Sequence, residues 1–102
     1  MQDKEIEQEI IAKGLTAPRV TPQRIDEVIV GEDYHVFNGR HTVCCLTLAN
    51  GFTVIGESSC ISPENFNAEL GRKIARDNAK QKIWELEGYM LRWELWVSPN
   101  EI

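Results

Sequence analysis

The chain has 102 residues, of which 42% are hydrophobic and 26% are charged, and its formal net charge is −5. This length supports one core, and we expect residues 1–102 to form a single domain. The acidic balance argues against binding to a long nucleic acid, which needs a large basic surface, but it permits a small anionic ligand held by a few arginines. No apolar run approaches the roughly 20 residues of a membrane span, and the acidic N-terminus lacks a signal-peptide pattern.

Two short helices are predicted near the N-terminus. The first, over residues 1–13, has isoleucines at helical spacing and is followed by Gly14, which suits a C-cap. The second is expected to start with Thr21 as N-cap and Pro22 at the first helical position. We expect it to end at Gly31.

Three antiparallel strands in a meander are predicted next. The expected strands span residues 33–37, 42–48 and 52–57. Asn38-Gly39 and Asn50-Gly51 separate them, and Asn-Gly pairs favour tight hairpin turns because both residues tolerate a positive φ.

A long helix is predicted from Ala68 to about Trp96, interrupted in pattern only by Gly71 and Gly88. Asn67 competes with an earlier serine as its N-cap, so a short turn is expected before the main helix. The predicted fold class is therefore α+β, with a short antiparallel β-meander packed on a long C-terminal helix and one or two short N-terminal helices.

The long helix carries two apolar stripes. The first consists of Phe66, Leu70 and Ile74. The second consists of Ala75, Ala79, Ile83, Leu86, Met90 and Trp93. A helix with two such stripes must bury two sides, which predicts a homo-oligomer if one side takes the sheet and the other takes another subunit. The alternative is that the N-terminal helices cover the second side.

A basic stripe lies on the same helix. Arg72, Arg76 and Lys80 fall at i, i+4 and i+8, and arginine binds phosphate oxygens well because its guanidinium donates in a fork. The alternative interpretation is a solvated face that includes a Glu69–Lys73 pair.

Other polar residues are candidates for ligand binding. Asn78 continues the first apolar stripe and needs a hydrogen-bond partner, which is either a neighbouring strand or loop, or a ligand. Ser58 and Ser59 precede the helix start at Ser62, where backbone N–H groups favour anions. The alternative there is a tight connection with an ordinary N-cap.

No catalytic or metal-binding constellation is present, so we expect a binding or structural protein that uses no metal and no cofactor. The cysteines, Cys44, Cys45 and Cys60, are odd in number, lack CxxC spacing and are expected to be reduced thiols. His35 and His41 are too few to favour a zinc site or a Cys–His pair.

The segment from about Thr42 to Arg92 resembles a family of small tailed-phage and prophage proteins. The features that carry the resemblance are NGFTVIGESSC, SPENFNAELGRKIARDNAK and KIWELEGYMLR, in this order. The pattern is also similar to that of the Thoeris anti-defence sponge proteins of the first type. Those proteins sequester cyclic ADP-ribose isomers without cleaving them, and some also hold cyclic oligonucleotides of CBASS systems in a hexamer built from dimers.

This resemblance implies a phage immune-evasion protein in the cytoplasm of the infected bacterial host. Its implied partners are a small cyclic nucleotide and further copies of the chain, as a homodimer or a hexamer of dimers. The candidate ligand-binding residues are Arg72, Arg76, Asn65, Phe66, Asn78, Lys80, Ser58 and Phe52. Arg19 and Arg24 are candidates for a second anion site, with surface solubility as the alternative.

Two other functions stay open at this stage. One is a protein-binding inhibitor or accessory factor of phage infection that acts through an apolar C-terminal surface around Trp93, Trp96 and Val97. The other is a small enzyme acting on a nucleotide, which is disfavoured because no nucleophile, metal set or general-base pair stands out.

Overall fold

The computed structural model describes residues 3–15 and 17–98. Its elements in chain order are α1 (Asp3–Ala12), α2 (Pro22–Val28), β1 (Ile29–Phe37), β2 (His41–Leu48), β3 (Thr53–Ser59), a 3-10 turn (Pro63–Asn65) and α3 (Ala68–Val97). The three strands form one antiparallel sheet in the order β1-β2-β3, which confirms the predicted α+β meander. Among the described residues, no helix combines the length and the apolarity needed to cross a membrane.

Both hairpins depend on Asn-Gly pairs. Asn38 and Gly39 have φ values of 54° and 66°, and Gly51 has a φ of 89°. These values lie in the left-handed region, which side chains other than asparagine and aspartate rarely enter. The second turn sets the register in which Cys44 pairs with Gly56, so these two residues lie side by side under α3.

One face of the sheet is covered by α3. Along β2 every second residue is buried, which is the alternation expected of a strand with one covered face. The buried residues of β2 are Thr42, Cys44, Leu46 and Leu48. A Cβ at Gly56 would overlap with the backbone of Ala75 and Ala79, so glycine and two alanines together allow the helix axis to approach the sheet closely.

The second helix closes one side of the core. Ile25 and Val28 are buried with the residues that α3 and the sheet contribute. Its polar side is joined to α3 by Lys80–Asp26, at 3.1 Å, and its arginine Arg24 pairs with Glu87 at 2.9 Å. The first helix, α1, has no buried residue.

The structure corrects the predicted end of the second helix, the predicted start of the first strand and both ends of the last strand. The second helix ends at Val28 and not at Gly31, because Ile29 already has extended backbone angles and pairs with Leu48 of β2. β1 therefore starts at Ile29, and Gly31 lies after a register irregularity inside the strand, next to the side chain of Thr47. The last strand also differs from the prediction, since it spans Thr53–Ser59.

Helix termini follow the expected capping residues. Gly14 has a φ of 71° after α1, and Thr21 accepts a hydrogen bond from the Arg24 amide at 3.2 Å. Asn67 caps α3 by accepting from the Leu70 amide at 2.9 Å, and the short 3-10 turn precedes it. The helix continues without a break through Gly88. The predicted first helix extends to residues 1 and 2, which lie outside the described residues.

Candidate functional site

A pocket of about 120 Å³ lies where β3 leads into α3. We call it the helix-start pocket. Its apolar wall is formed by Phe66, Leu70 and Ile74, which are the first apolar stripe of the long helix. Its polar wall contains Arg40, Thr42, Ser58, Ser59 and Asn65. The volume is several times the roughly 30 Å³ that one water occupies in the liquid.

The sheet register brings the polar wall together. Thr42 of β2 pairs with Ser58 of β3, and both residues belong to the rows that face α3. Arg40 lies just before β2, and its carbonyl oxygen accepts a hydrogen bond from the Cys60 amide at 3.1 Å. The Arg40 guanidinium donates to the Ser59 hydroxyl at 3.0 Å and to the Cys60 carbonyl at 3.3 Å.

Three of the predicted site residues meet in this pocket: Ser58, Asn65 and Phe66. Asn78 lies one helical turn beyond Ile74, and its side-chain amide donates to the Glu57 carbonyl at 2.7 Å. Of the two roles considered for Asn78, the structure therefore shows the structural one, in which α3 is tied to the outer edge of β3.

The basic stripe faces away from the helix-start pocket. Arg76 reaches β1 and pairs with Glu32 at 2.7 Å, and this hydrogen bond is the main reason that its pKa is raised further above the ordinary value. Lys80 pairs with Asp26 of α2 at 3.1 Å. Arg72 is exposed one turn before Arg76. The structure thus uses two of these three cations to hold α3 against neighbouring elements.

Phe52 and the two N-terminal arginines lie elsewhere. Phe52 follows the β2–β3 hairpin at the opposite end of the sheet, where its side chain is exposed. Arg19 pairs with Glu7 of α1 at 2.9 Å. Arg24 pairs with Glu87 of α3 at 2.9 Å, and the hydrogen bond to Glu87 raises its pKa. Each of the two arginines predicted for a second anion site already has a carboxylate partner.

Several residues that line the pocket were not predicted as site residues, among them Arg40, Thr42 and Gly71. A partial signal for Thr42 and Arg40 was present, because a hairpin at Asn50-Gly51 brings them to the same end of the sheet as Ser58 and Cys60. The register itself depends on a three-residue turn, 49–51, in which the Leu48 amide donates to the Phe52 carbonyl at 2.8 Å. A two-residue turn would have placed Thr42 opposite Ser59 instead. Gly71 had no comparable signal, since its role depends on the side chain that it meets across the helix–sheet interface.

A second exposed feature lies at the far end of α3. Tyr89, Arg92, Trp93 and Trp96 line an apolar pocket of about 250 Å³, which we call the aromatic ridge. The Trp93 ring packs edge-to-face on Tyr89 and on Trp96, with centroid separations of 6.3 and 5.2 Å. Trp96 is 67% exposed. The ridge lies beyond the buried stretch of α3, whose last core residue is Ile83.

Two titratable groups at the core, Tyr34 and Cys44, have raised pKa values. Burial, followed by the neighbouring Cys44 thiol, raises the pKa of Tyr34 to about 12. Burial also raises the pKa of Cys44, which keeps the thiol protonated and therefore a poor nucleophile. Within residues 3–15 and 17–98, no group of His, Cys, Asp and Glu side chains is arranged to hold a metal ion.

The fold and the pocket define a small α+β protein that presents a mixed aromatic and polar pocket at the start of one long helix. Residues 20–95 match the model of the Phage protein (N4 Gp49/phage Sf6 gene 66) family, and the chain belongs to this family. The matched residues begin after α1 and include the whole sheet and the helix-start pocket. No curated protein and no solved structure matches the chain.

Proposed function

We propose that this phage-family protein is an immune-evasion protein that binds and sequesters cyclic ADP-ribose isomers without cleaving them. The observation that carries the proposal is the helix-start pocket, where an aromatic side chain, hydroxyls and an amide converge beside the N-terminus of α3. The family match supports a phage origin. The ligand class comes from the resemblance of the sequence pattern to Thoeris anti-defence sponge proteins.

The pocket has the chemistry that such a ligand needs. The Phe66 ring offers a face on which adenine stacks, as aromatic side chains do in many base-binding sites. Ser58 and Asn65 offer hydrogen bonds to ribose and base edges. The N-terminus of α3 favours a negative group, because the unpaired amides of the first turn carry partial positive charge.

A tight sponge must enclose its ligand, and a second copy of the chain is our proposed cover. Leu70 is 53% exposed and Ile74 is 42% exposed on the apolar wall of the pocket. A homodimer that buries this wall would close the pocket and remove apolar surface from water. Such dimers can assemble further into a hexamer, with cyclic oligonucleotides as a second ligand class and the infected host cytoplasm as the place of action.

The proposal is tested by isothermal titration of the purified protein with cyclic ADP-ribose isomers and with cyclic di- and trinucleotides. Tight binding is expected, and chromatography after heat denaturation should recover the ligand intact. Ligand consumed during incubation would show an enzyme instead. No binding heat with any member of the panel would remove the sponge function.

Two phenylalanines provide a matched pair for this experiment. Phe66→Ala removes the aromatic wall of the pocket and should weaken binding about tenfold or more, given the roughly 1–3 kcal/mol measured for base–aromatic stacking. Phe52→Ala removes an exposed ring of the same size at the opposite end of the sheet and should leave affinity unchanged. Equal losses in both variants would mean that the ligand does not occupy the helix-start pocket.

A second candidate function is favoured by the aromatic ridge. Its exposed rings suit a protein-binding inhibitor of a phage or host protein, because aromatic side chains dominate the energetics of protein interfaces. Truncation after Arg92 removes Trp93 and Trp96. It should abolish this function and leave nucleotide binding at the helix-start pocket unchanged.

A further inference from the structure

The helix-start pocket contains a buried hydroxyl that has no partner. Thr42 is 1% exposed, and within the described part of the chain its Oγ1 makes no hydrogen bond. A buried hydroxyl without a partner is costly, so each such group in a native structure calls for an explanation. Because Thr42 lines the pocket, a polar atom of a bound ligand would satisfy it.

Gly71 leaves room for that hydroxyl. A Cβ at position 71 would lie 2.8 Å from the Thr42 Oγ1, which is closer than real contacts of this kind. Glycine in the second turn of a helix is unfavourable compared with alanine. Glycine at this position therefore lowers helix stability but allows α3 to pack closely over the hydroxyl without a collision.

Arg40 adds a positive charge to the same pocket. Among the described residues, no ion pair involves Arg40, whereas Arg19, Arg24 and Arg76 each have a carboxylate partner. The Arg40 guanidinium is instead held by the Ser59 hydroxyl and the Cys60 carbonyl, which orient it without neutralising it. The described lining of the pocket has no aspartate or glutamate.

We propose that Arg40 and Thr42 form a phosphate-binding subsite, in which glycine at position 71 avoids a collision with the Thr42 hydroxyl. An oriented guanidinium, a buried hydroxyl donor and the start of a long helix together suit a phosphate group, which offers several strong acceptor oxygens. This inference deepens the proposed function, on which it rests for the identity of the whole ligand. It assigns one phosphate of the ligand's diphosphate to Arg40 and Thr42, beside the Phe66 ring that would hold the base.

The test is a titration of the ¹⁵N-labelled full chain with inorganic phosphate, followed by NMR at constant ionic strength. We expect chemical-shift changes that saturate with phosphate concentration for the backbone amides of Thr42 and Gly71 and for the Arg40 Nε–H. Thr42→Val keeps the shape and removes the hydroxyl, so phosphate affinity should fall roughly tenfold or more, as for a lost hydrogen bond to a charged group.

The Thr42→Val variant also distinguishes an effect on phosphate binding from an effect on the stability of the fold. Removal of an unpartnered buried hydroxyl should leave the melting temperature unchanged or raise it, while phosphate binding weakens. Gly71→Ala should also weaken phosphate binding, because its methyl group would cover the hydroxyl. Gly88→Ala is the matched control, since nothing lies within 4 Å of a Cβ there. Phosphate shifts outside this pocket, or shifts retained in Thr42→Val, would overturn the subsite.

The cyclic nucleotide titration separates this inference from the proposed function. Phosphate binding at Arg40 and Thr42 without binding of any cyclic nucleotide would overturn the sponge function and support the subsite. Equal affinity of Thr42→Val and the natural chain for a cyclic ADP-ribose isomer would support the sponge and overturn the subsite.

Discussion

The two halves of α3 differ sharply in what surrounds them. In the first half, which we define as residues 68–83, Ala75, Ala79 and Ile83 are fully buried in the core. In the second half, Met90 and Trp93 continue the same apolar stripe, yet they are 48% and 47% exposed. In the sequence, one apolar stripe runs through both halves of the helix. The comparison teaches that an apolar stripe predicts a face to be covered, whereas the position of the sheet decides how much of it the chain covers by itself.

The largest effect should come from the closest contact in the first half. Gly56→Ala would place a methyl group on the backbone of Ala75 and Ala79, which cannot move like a flexible side chain. We expect a loss of about 3 kcal/mol or more in the free energy of unfolding, at the upper end for overpacked cores. Urea denaturation measures this loss. Gly88→Ala, in the second half, should instead stabilise the helix by about 0.5–1 kcal/mol.

Truncation of one large apolar side chain in each half gives a direct comparison. Ile83→Ala leaves a cavity in the core and should cost about 2–4 kcal/mol. Met90→Ala should change the free energy of unfolding by less than about 0.5 kcal/mol if the second half is free in solution. Urea denaturation at several protein concentrations distinguishes the cases. A large, concentration-dependent loss in Met90→Ala would show that another copy of the chain covers the second half.

Alkaline pH should lower the free energy of unfolding through Tyr34, which packs against the core beneath the first half of α3. The pKa of Tyr34 is about 12 in the folded protein against an ordinary 10.0, so the unfolded chain loses this proton first as the pH rises. The contribution of Tyr34 is fully present below about pH 10 and is lost between about pH 10 and 12, by at most about 3 kcal/mol. Cys44 adds a loss of the same sign, since its pKa is also raised.

Thermal denaturation across this alkaline range measures the effect. Tyr34→Phe should show a shallower fall in stability than the natural chain, with the Cys44 contribution remaining. An identical slope in both proteins would mean that Tyr34 does not contribute to the pH dependence.

The smallest effect should come from the ion pair that holds the flank of α3 to β1. Arg76 and Glu32 are partly exposed, so their coupling should be about 0.5–1 kcal/mol and should decrease in high salt. A double-mutant cycle of Arg76→Ala and Glu32→Ala measures it. Arg76 was also predicted as a ligand contact. If Arg76→Ala weakens nucleotide binding while Glu32→Ala does not, the arginine contacts the ligand directly.

Local signals in the sequence predicted most of the elements. Asn-Gly pairs marked both hairpins, and Thr21 and Asn67 marked two helix starts, because turns and caps depend on residues close together in the chain. The end of α2 was the main error. Gly31 suggested a helix end, but Ile29 had already joined the sheet through pairing with Leu48, which a local pattern does not show.

The candidate site was predicted in part. As with the elements, the residues that were found are marked by near neighbours in the sequence, and those that were missed depend on distant contacts. Ser58, Asn65 and Phe66 were found because they lie close together around one helix start. Arg76 and Lys80 were found from helical spacing, but spacing does not reveal that Glu32 and Asp26 neutralise them. Arg40 and Thr42 were missed because Thr42 reaches the pocket only through the register of β2 with β3, and Arg40 only through pairing with the chain that follows β3.

The sequence by itself determined the order of the elements, their turns and their caps, since these depend on backbone preferences and on neighbours within a few residues. The tertiary structure decided which charges are paired, which half of α3 is buried, and where a hydroxyl is left without a partner. The physical reason is contact between distant positions: Arg76 meets Glu32 from 44 residues away, and Thr42 keeps its place under α3 only because the residue that crosses above it, Gly71, has no Cβ.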